Sequence, residues 1–199
     1  MKNTLLLLVV LSLSSCNRMI MIAFGISNPK VVSQKKVVRE YNKYGFEADY
    51  SLAISDSGFL SYIQSDYQIN EIFIYTKEGR LVKSKDTNSC SGNVGAFLDV
   101  FRDTNYAELV DRNNTNAWQS HFLNLNGSEV ECDNDKPYTA VVFWATWVGR
   151  LNRNTSAFWV DKLSQEQDIN VVCVSLDIRE FWPNSNEWSK VKTEGSFTR

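Results

Sequence analysis

Two largely apolar runs constrain this chain most, one over residues 139–144 (Thr-Ala-Val-Val-Phe-Trp) and one over 169–176 (Ile-Asn-Val-Val-Cys-Val-Ser-Leu). Between them Leu151, Thr155, Phe158, Trp159 and Leu163 recur at the spacing that puts side chains on one face of a helix. Runs without polar alternation belong to strands covered on both faces, and strand, helix and strand in this order close as a right-handed parallel crossover. The pattern predicts an α/β chain with a parallel pair at its centre. Cys173, inside the second run, reads as a small core hydrophobe.

Upstream, residues 71–76 are rich in β-formers, 77–80 make a turn in which Gly79 supplies positive φ, and 81–84 return. Val94, Phe97, Leu98 and Phe101 then follow helical spacing, which gives a ββα unit. Nearer the amino terminus, Ser33 opens a helical pattern with Val37, Val38, Tyr41 and Tyr44 on one face. Phe46, Ala48, Tyr50, Leu52 and Ile54 alternate as an extended segment, and Asp56 is placed to cap a short helix carrying Phe59, Leu60 and Ile63. Residues 103–116 are polar and Asn-rich, as in a surface connection, and Trp118, Phe122 and Leu125 form one more short apolar stripe.

The first residues obey a different logic. Lys2 provides a positive start, 5–11 is apolar throughout, and Leu13-Ser14-Ser15-Cys16 follows, which is the layout of an export signal too short to span a bilayer. Those four residues resemble the lipobox of bacterial lipoproteins, where the signal is removed before the cysteine and that cysteine carries the lipid. The resemblance implies a signal peptide over 1–15, a lipidated Cys16 with a tether to residue 30, and a domain over 31–199. Acyl chains on Cys16 would anchor the chain stably, since two membrane signals already suffice. Asn17 is not the aspartate that retains some lipoproteins at the inner membrane, so the outer membrane is the expected address.

Val141-Val142-Phe143-Trp144-Ala145-Thr146-Trp147, followed by Val148-Gly149-Arg150-Leu151, resembles the strand, Trp-Ala-Thr-Trp lead-in and Cys-Gly-Pro-Cys helix start of the thioredoxin family. The resemblance covers residues 137–176, and with the lipobox it is similar to exported thioredoxin-like lipoproteins of Bacteroidetes-type bacteria. It implies a thioredoxin-like mixed sheet flanked by helices, with an N-terminal helical addition. It also implies which parts are missing. Dithiol exchange needs a thiolate at a helix start and a second thiol to resolve the mixed disulfide, and Val148 and Leu151 stand in those places. Val142 matches the family's buried acid, and among Pro29, Pro137 and Pro183 none matches its substrate-binding cis-proline. The expectation is a redox-inactive module, not an enzyme, with no cofactor.

Only 23 residues follow Leu176, too few for the ββα half that normally closes this fold. The upstream ββα of residues 71–101 is therefore expected to supply it from the other side, as in a circular permutation, with 31–136 and 137–199 contributing to one sheet. Two small lobes, or an incomplete sheet with an irregular N-terminal layer, are the alternatives.

Other chemistry is sparsely represented. With export, Cys90 and Cys132 sit in polar settings where a disulfide persists, and both a structural bridge and an exchangeable oxidoreductase pair stay open, because sequence does not fix their approach. His121 is the only histidine, and neighbouring Ser120 does not make a triad. Cysteine spacing fits no zinc site, and Glu131, Asp133 and Asp135 lack the glycine and distal glutamate of a calcium loop, so no metal is expected. A formal charge of -2 without a basic stripe argues against nucleic acid. Trp147 and Arg150 are the expected partner surface for another envelope protein, since Trp and Arg anchor interfaces.

Overall fold

A computed structural model of the chain describes residues 23–64, 72–82, 122–130 and 135–190. The elements in chain order are β1 (Val31–Val32), α1 (Gln34–Tyr44), β2 (Tyr50–Ile54), α2 (Asp56–Gln64), β3 (Ile72–Thr76), β4 (Leu81–Val82) and β5 (Phe122–Asn124). They continue with β6 (Tyr138–Trp144), a 3₁₀ turn (Thr146–Val148), α3 (Leu151–Asn154), α4 (Ser156–Leu163), β7 (Ile169–Ser175), β8 (Ile178–Arg179) and α5 (Ser185–Trp188).

Six strands form one mixed sheet in the order β4-β3-β6-β7-β2-β5. The two apolar runs became β6 and β7, paired in parallel from Tyr138 opposite Ile169 to Trp144 opposite Ser175. β2 adds a parallel strand beside β7, with β5 antiparallel at its outer edge. On the other side β3 runs antiparallel to β6 and turns at Gly79 (φ 77°) into β4. The hairpin and the Val141 strand thus share one sheet, not two lobes. The helix expected over 94–101 and the connection over 103–116 lie outside the described residues.

Strand alternation divides the core into two layers. Val142 and Trp144, with Ile74, Val171 and Cys173, pack against Val37 of α1 and Trp159, Val160 and Leu163 of α4. Val141, Phe143, Val172 and Val174 face the other way, toward Phe59 of α2, Trp182 and Trp188. Because β2 is an interior strand, Ala53 is as buried as its neighbours Leu52 and Ile54. Tyr41 and Phe46 gather on Trp144 with ring centroids 5.9 and 5.1 Å away, seating the amino-terminal helix on the end of β6.

Three helical expectations change in detail. Val38 lies outside the buried face of α1, one residue and about 100° from Val37, and is 37% exposed. Ser55 rather than Asp56 caps α2, its Oγ accepting from the Gly58 N–H at 3.0 Å. The single helix expected from Leu151 to Leu163 is broken at Thr155 (φ -119°, ψ -90°). That break turns the face, so Phe158 is exposed with Lys162 Nζ over its ring, whereas Ser156 and Val160 point inward. Ser156 Oγ donates to the Phe143 carbonyl oxygen at 2.6 Å, an anchor for the second helix directly on β6.

Candidate functional site

The Trp-Ala-Thr-Trp passage leaves the end of β6 at the centre of the sheet and folds into a tight turn. Ala145 is extended, Thr146–Val148 make one 3₁₀ turn, and Gly149 takes φ 62° and ψ -136°, a conformation open to glycine. Helix α3 starts only after that, so Val148 precedes the helix instead of crowning it.

Almost every polar group of the turn is engaged by the chain itself. The Asp177 carboxylate accepts from the Thr146 backbone N–H (3.0 and 3.1 Å) and from Thr146 Oγ1 (2.6 Å). Ser175 Oγ donates to its other oxygen at 2.9 Å. Asn152, fully buried, donates through Nδ2 to the Ala145 and Gly149 carbonyl oxygens at 2.7 and 3.2 Å. Tyr44 of α1 donates its hydroxyl to the Gly149 carbonyl oxygen at 2.7 Å.

Two further groups are met by the amino-terminal segment. The Arg150 N–H donates to the Phe24 carbonyl oxygen at 2.7 Å, and the Ser27 N–H donates to the Trp147 carbonyl oxygen at 2.8 Å. A Cβ on Gly149 would lie 2.5 Å from the Gly25 carbonyl oxygen and closer still to that of Phe24. The expected tether is therefore docked on the turn from residue 24 onward. It continues through β1, which pairs in parallel with β8 in a second, two-stranded sheet.

Charge is buried beside this joint. Burial pushes the Asp177 carboxyl above its ordinary value, against the hydrogen bonds from Thr146 and Ser175 and the attraction of Arg179. Arg179 is itself withdrawn from solvent, and burial lowers its pKa. Its Nη2 donates to the Leu125 carbonyl oxygen at 2.6 Å and its guanidinium lies 5.6 Å from the Phe181 ring centroid, while Nε and Nη1 have no partner among the described residues.

Of the positions singled out in the sequence, Val148 is buried and Leu151 half-buried. Val142 packs in the layer of Trp144, opposite Cys173 in the strand register, and Cys173 is a buried free thiol whose pKa burial raises. Arg150 is exposed, but Trp147 is only 8% exposed and packs with Leu176 and Ile178, so the surface expected from the pair reduces to the arginine. The turn directs the indole inward onto that core layer. Cys16, Cys90, His121, Glu131, Cys132 and Asp133 lie outside the described residues, and Asp135 is exposed. Among the described residues no group of three metal-ligating side chains occurs, and no helix is long and apolar enough to cross a membrane.

The sequence assigns no role at the turn to Asp177 or Asn152, and it places Tyr44 on the inner face of a helix without showing its bond to Gly149. One signal was available: Ser175 and Asp177 are polar residues at the exit of an otherwise apolar strand, and such groups need internal partners.

Beside the joint, Lys43 and Tyr44 at the end of α1, Arg150 and Arg153 around α3, and Phe24 line an open cavity of about 490 Å³. Lys43 pairs with Glu40 at 2.8 Å, whereas neither arginine has a carboxylate in ion-pair range among the described residues.

No family model, curated protein or solved structure matches this chain.

Proposed function

We propose that this chain is an exported lipoprotein, anchored through Cys16, whose thioredoxin-like domain performs no dithiol exchange and serves as a binding or structural module of the cell envelope. The observation that carries the redox part is the occupation of the turn 145–150. The position that the resemblance assigns to the attacking thiolate holds the buried Val148, and the backbone groups around it are engaged by Asp177, Asn152, Tyr44 and the segment 24–27. An exchange centre needs an accessible thiolate with free donors to stabilise it. Here the same architecture serves as a joint between tether and domain.

The order of the strands supports the permuted reading. A hairpin that comes earlier in the chain lies antiparallel to β6 on the side away from β7, so ββα followed by βαβ builds one continuous sheet.

Insulin reduction by the full chain tests the redox part. The expected rate equals that of a variant carrying Cys90→Ser, Cys132→Ser and Cys173→Ala. Turnover clearly above that control would overturn the proposal and return the reading to an enzyme with relocated thiols.

A further inference from the structure

We propose that the cavity beside the joint holds the phosphate headgroup of an anionic membrane lipid, an inference that rests on the lipoprotein reading of Cys16. Three cations line it, Lys43, Arg150 and Arg153, on a chain whose formal charge is -2. Glu40 already answers Lys43, but the two guanidinium groups have no carboxylate partner among the described residues. A guanidinium presents paired donors in the geometry of a phosphate oxygen pair, so two such groups on one short helical stretch suit a phosphate monoanion or diester.

The source of the phosphate follows from the other wall and from the chain's path. Ala23, Phe24 and Tyr44 line the cavity beside the cations, residues with apolar side-chain surface that a glycerol and its first methylenes could cover and that inorganic phosphate would leave bare. Phe24 belongs to the segment docked on the turn, and Ala23, also lining the cavity, is seven residues from Cys16. Fully extended, those seven residues span about 25 Å, so a lipidated Cys16 keeps the cavity next to the headgroup layer. Tethering over that distance gives an effective headgroup concentration in the millimolar range or above, enough to fill a site too weak to hold free phosphate. Docking would also set which face of the domain looks at the bilayer.

The test uses the full, lipidated chain in vesicles of phosphatidylglycerol mixed with phosphatidylcholine, and in vesicles of phosphatidylcholine alone. Arginines are modified with phenylglyoxal and followed site by site by mass spectrometry. The expected result is that Arg150 and Arg153 react about fivefold more slowly in the anionic vesicles, the effect of roughly one favourable basic contact at a charged membrane surface. Arg80, exposed in the hairpin turn at the far edge of the sheet, should react equally in both. Arg153→Gln should raise the phosphatidylglycerol fraction that half-protects Arg150 about fivefold. Equal reactivity of Arg150 and Arg153 in the two vesicles overturns the site. Protection by inorganic phosphate in neutral detergent, with none from phosphatidylglycerol, overturns the lipid assignment. The intact mass of the Cys16 peptide reports separately on the anchor: an unacylated Cys16 ends the lipoprotein reading, whereas an acylated Cys16 with unprotected arginines ends the headgroup site alone.

Discussion

Gly149 is where the turn and the amino-terminal segment meet most closely, and two constraints coincide there. Its φ of 62° with ψ -136° is unfavourable for any residue with a Cβ, and that Cβ would enter the space of the Phe24 and Gly25 carbonyls. Gly149→Ala should cost about 1–3 kcal/mol from backbone strain alone and displace the segment 23–27. Urea melts and limited proteolysis check this together: an unchanged midpoint with an equally protease-resistant segment would contradict the close approach. Asp177 offers a second test. Its folded-state pKa is raised by burial, so between the ordinary carboxylate range near pH 4 and the raised value the native state binds more protons than the unfolded one. Its contribution to stability therefore falls as pH rises through that window. Asp177→Asn keeps one acceptor for Thr146 and turns a donor toward Ser175 Oγ, and thermal melts should show the wild type losing stability relative to this variant as pH rises from about 4. A constant difference across pH would refute the assignment. At this scale the sequence was legible where chemistry is missing and silent where partners are distant. Val148 and Leu151 stand out because a motif frames them, whereas Tyr44 meets Gly149 across 105 positions, a contact that no local pattern encodes.

Elements with long apolar runs follow their periodicity, and short ones obey their neighbours. β6 and β7 are readable because strands buried on both faces are mostly apolar, the few polar side chains Thr139, Asn170 and Ser175 falling near their ends. β1 and β8, two residues each, exist through their pairing with one another, and nothing in Val31-Val32 or Ile178-Arg179 announces it. The break at Thr155 is hidden for a related reason. Leu151 to Leu163 has helical spacing, but the fold anchors Ser156 to Phe143 and lets Thr155 Oγ1 donate back to the Leu151 carbonyl oxygen, so the chain restarts there. α5 shows how a four-residue helix is held. Asp56 of α2 accepts from Trp188 Nε1 and, at 3.0 Å, from Asn184 Nδ2, tying both ends of α5 to α2. Charge-assisted bonds of this kind contribute about 1.5–3 kcal/mol, so Asp56→Ala should accelerate hydrogen exchange of the amides around α5 at least about tenfold while leaving β6 and β7 protected. Unchanged exchange at α5 would show that packing of Trp188 on Phe59, at 6.0 Å between centroids, suffices without the carboxylate.

For the molecule as a whole, the order of secondary elements carried most of the topology. Hairpin, then strand, helix and strand, leaves few ways to make one sheet, and the observed order places the hairpin beside β6. What pattern could not supply is that residues 24–27, downstream of the expected signal, meet the turn of the motif. That contact leads to a prediction about the assembled chain. Introducing two thiols with Val148→Cys and Leu151→Cys should leave the thiol at 148 slow to alkylate, because its position is buried. Adding Gly149→Ala, which displaces the segment 24–27, should speed that alkylation about tenfold or more, the ratio expected for 1.4 kcal/mol of easier opening. Equal rates in the two variants would mean that the segment does not guard the position. The joint also has a mechanical meaning. Force applied to the amino-terminal end loads the Arg150–Phe24 and Ser27–Trp147 bonds before it reaches β1, and reaches the six-stranded sheet only beyond that. Under tension the attachment would unclip stepwise from its outer end, lengthening the leash while the sheet stays folded, so in the lipoprotein we propose the joint would act as a strain relief between anchor and domain.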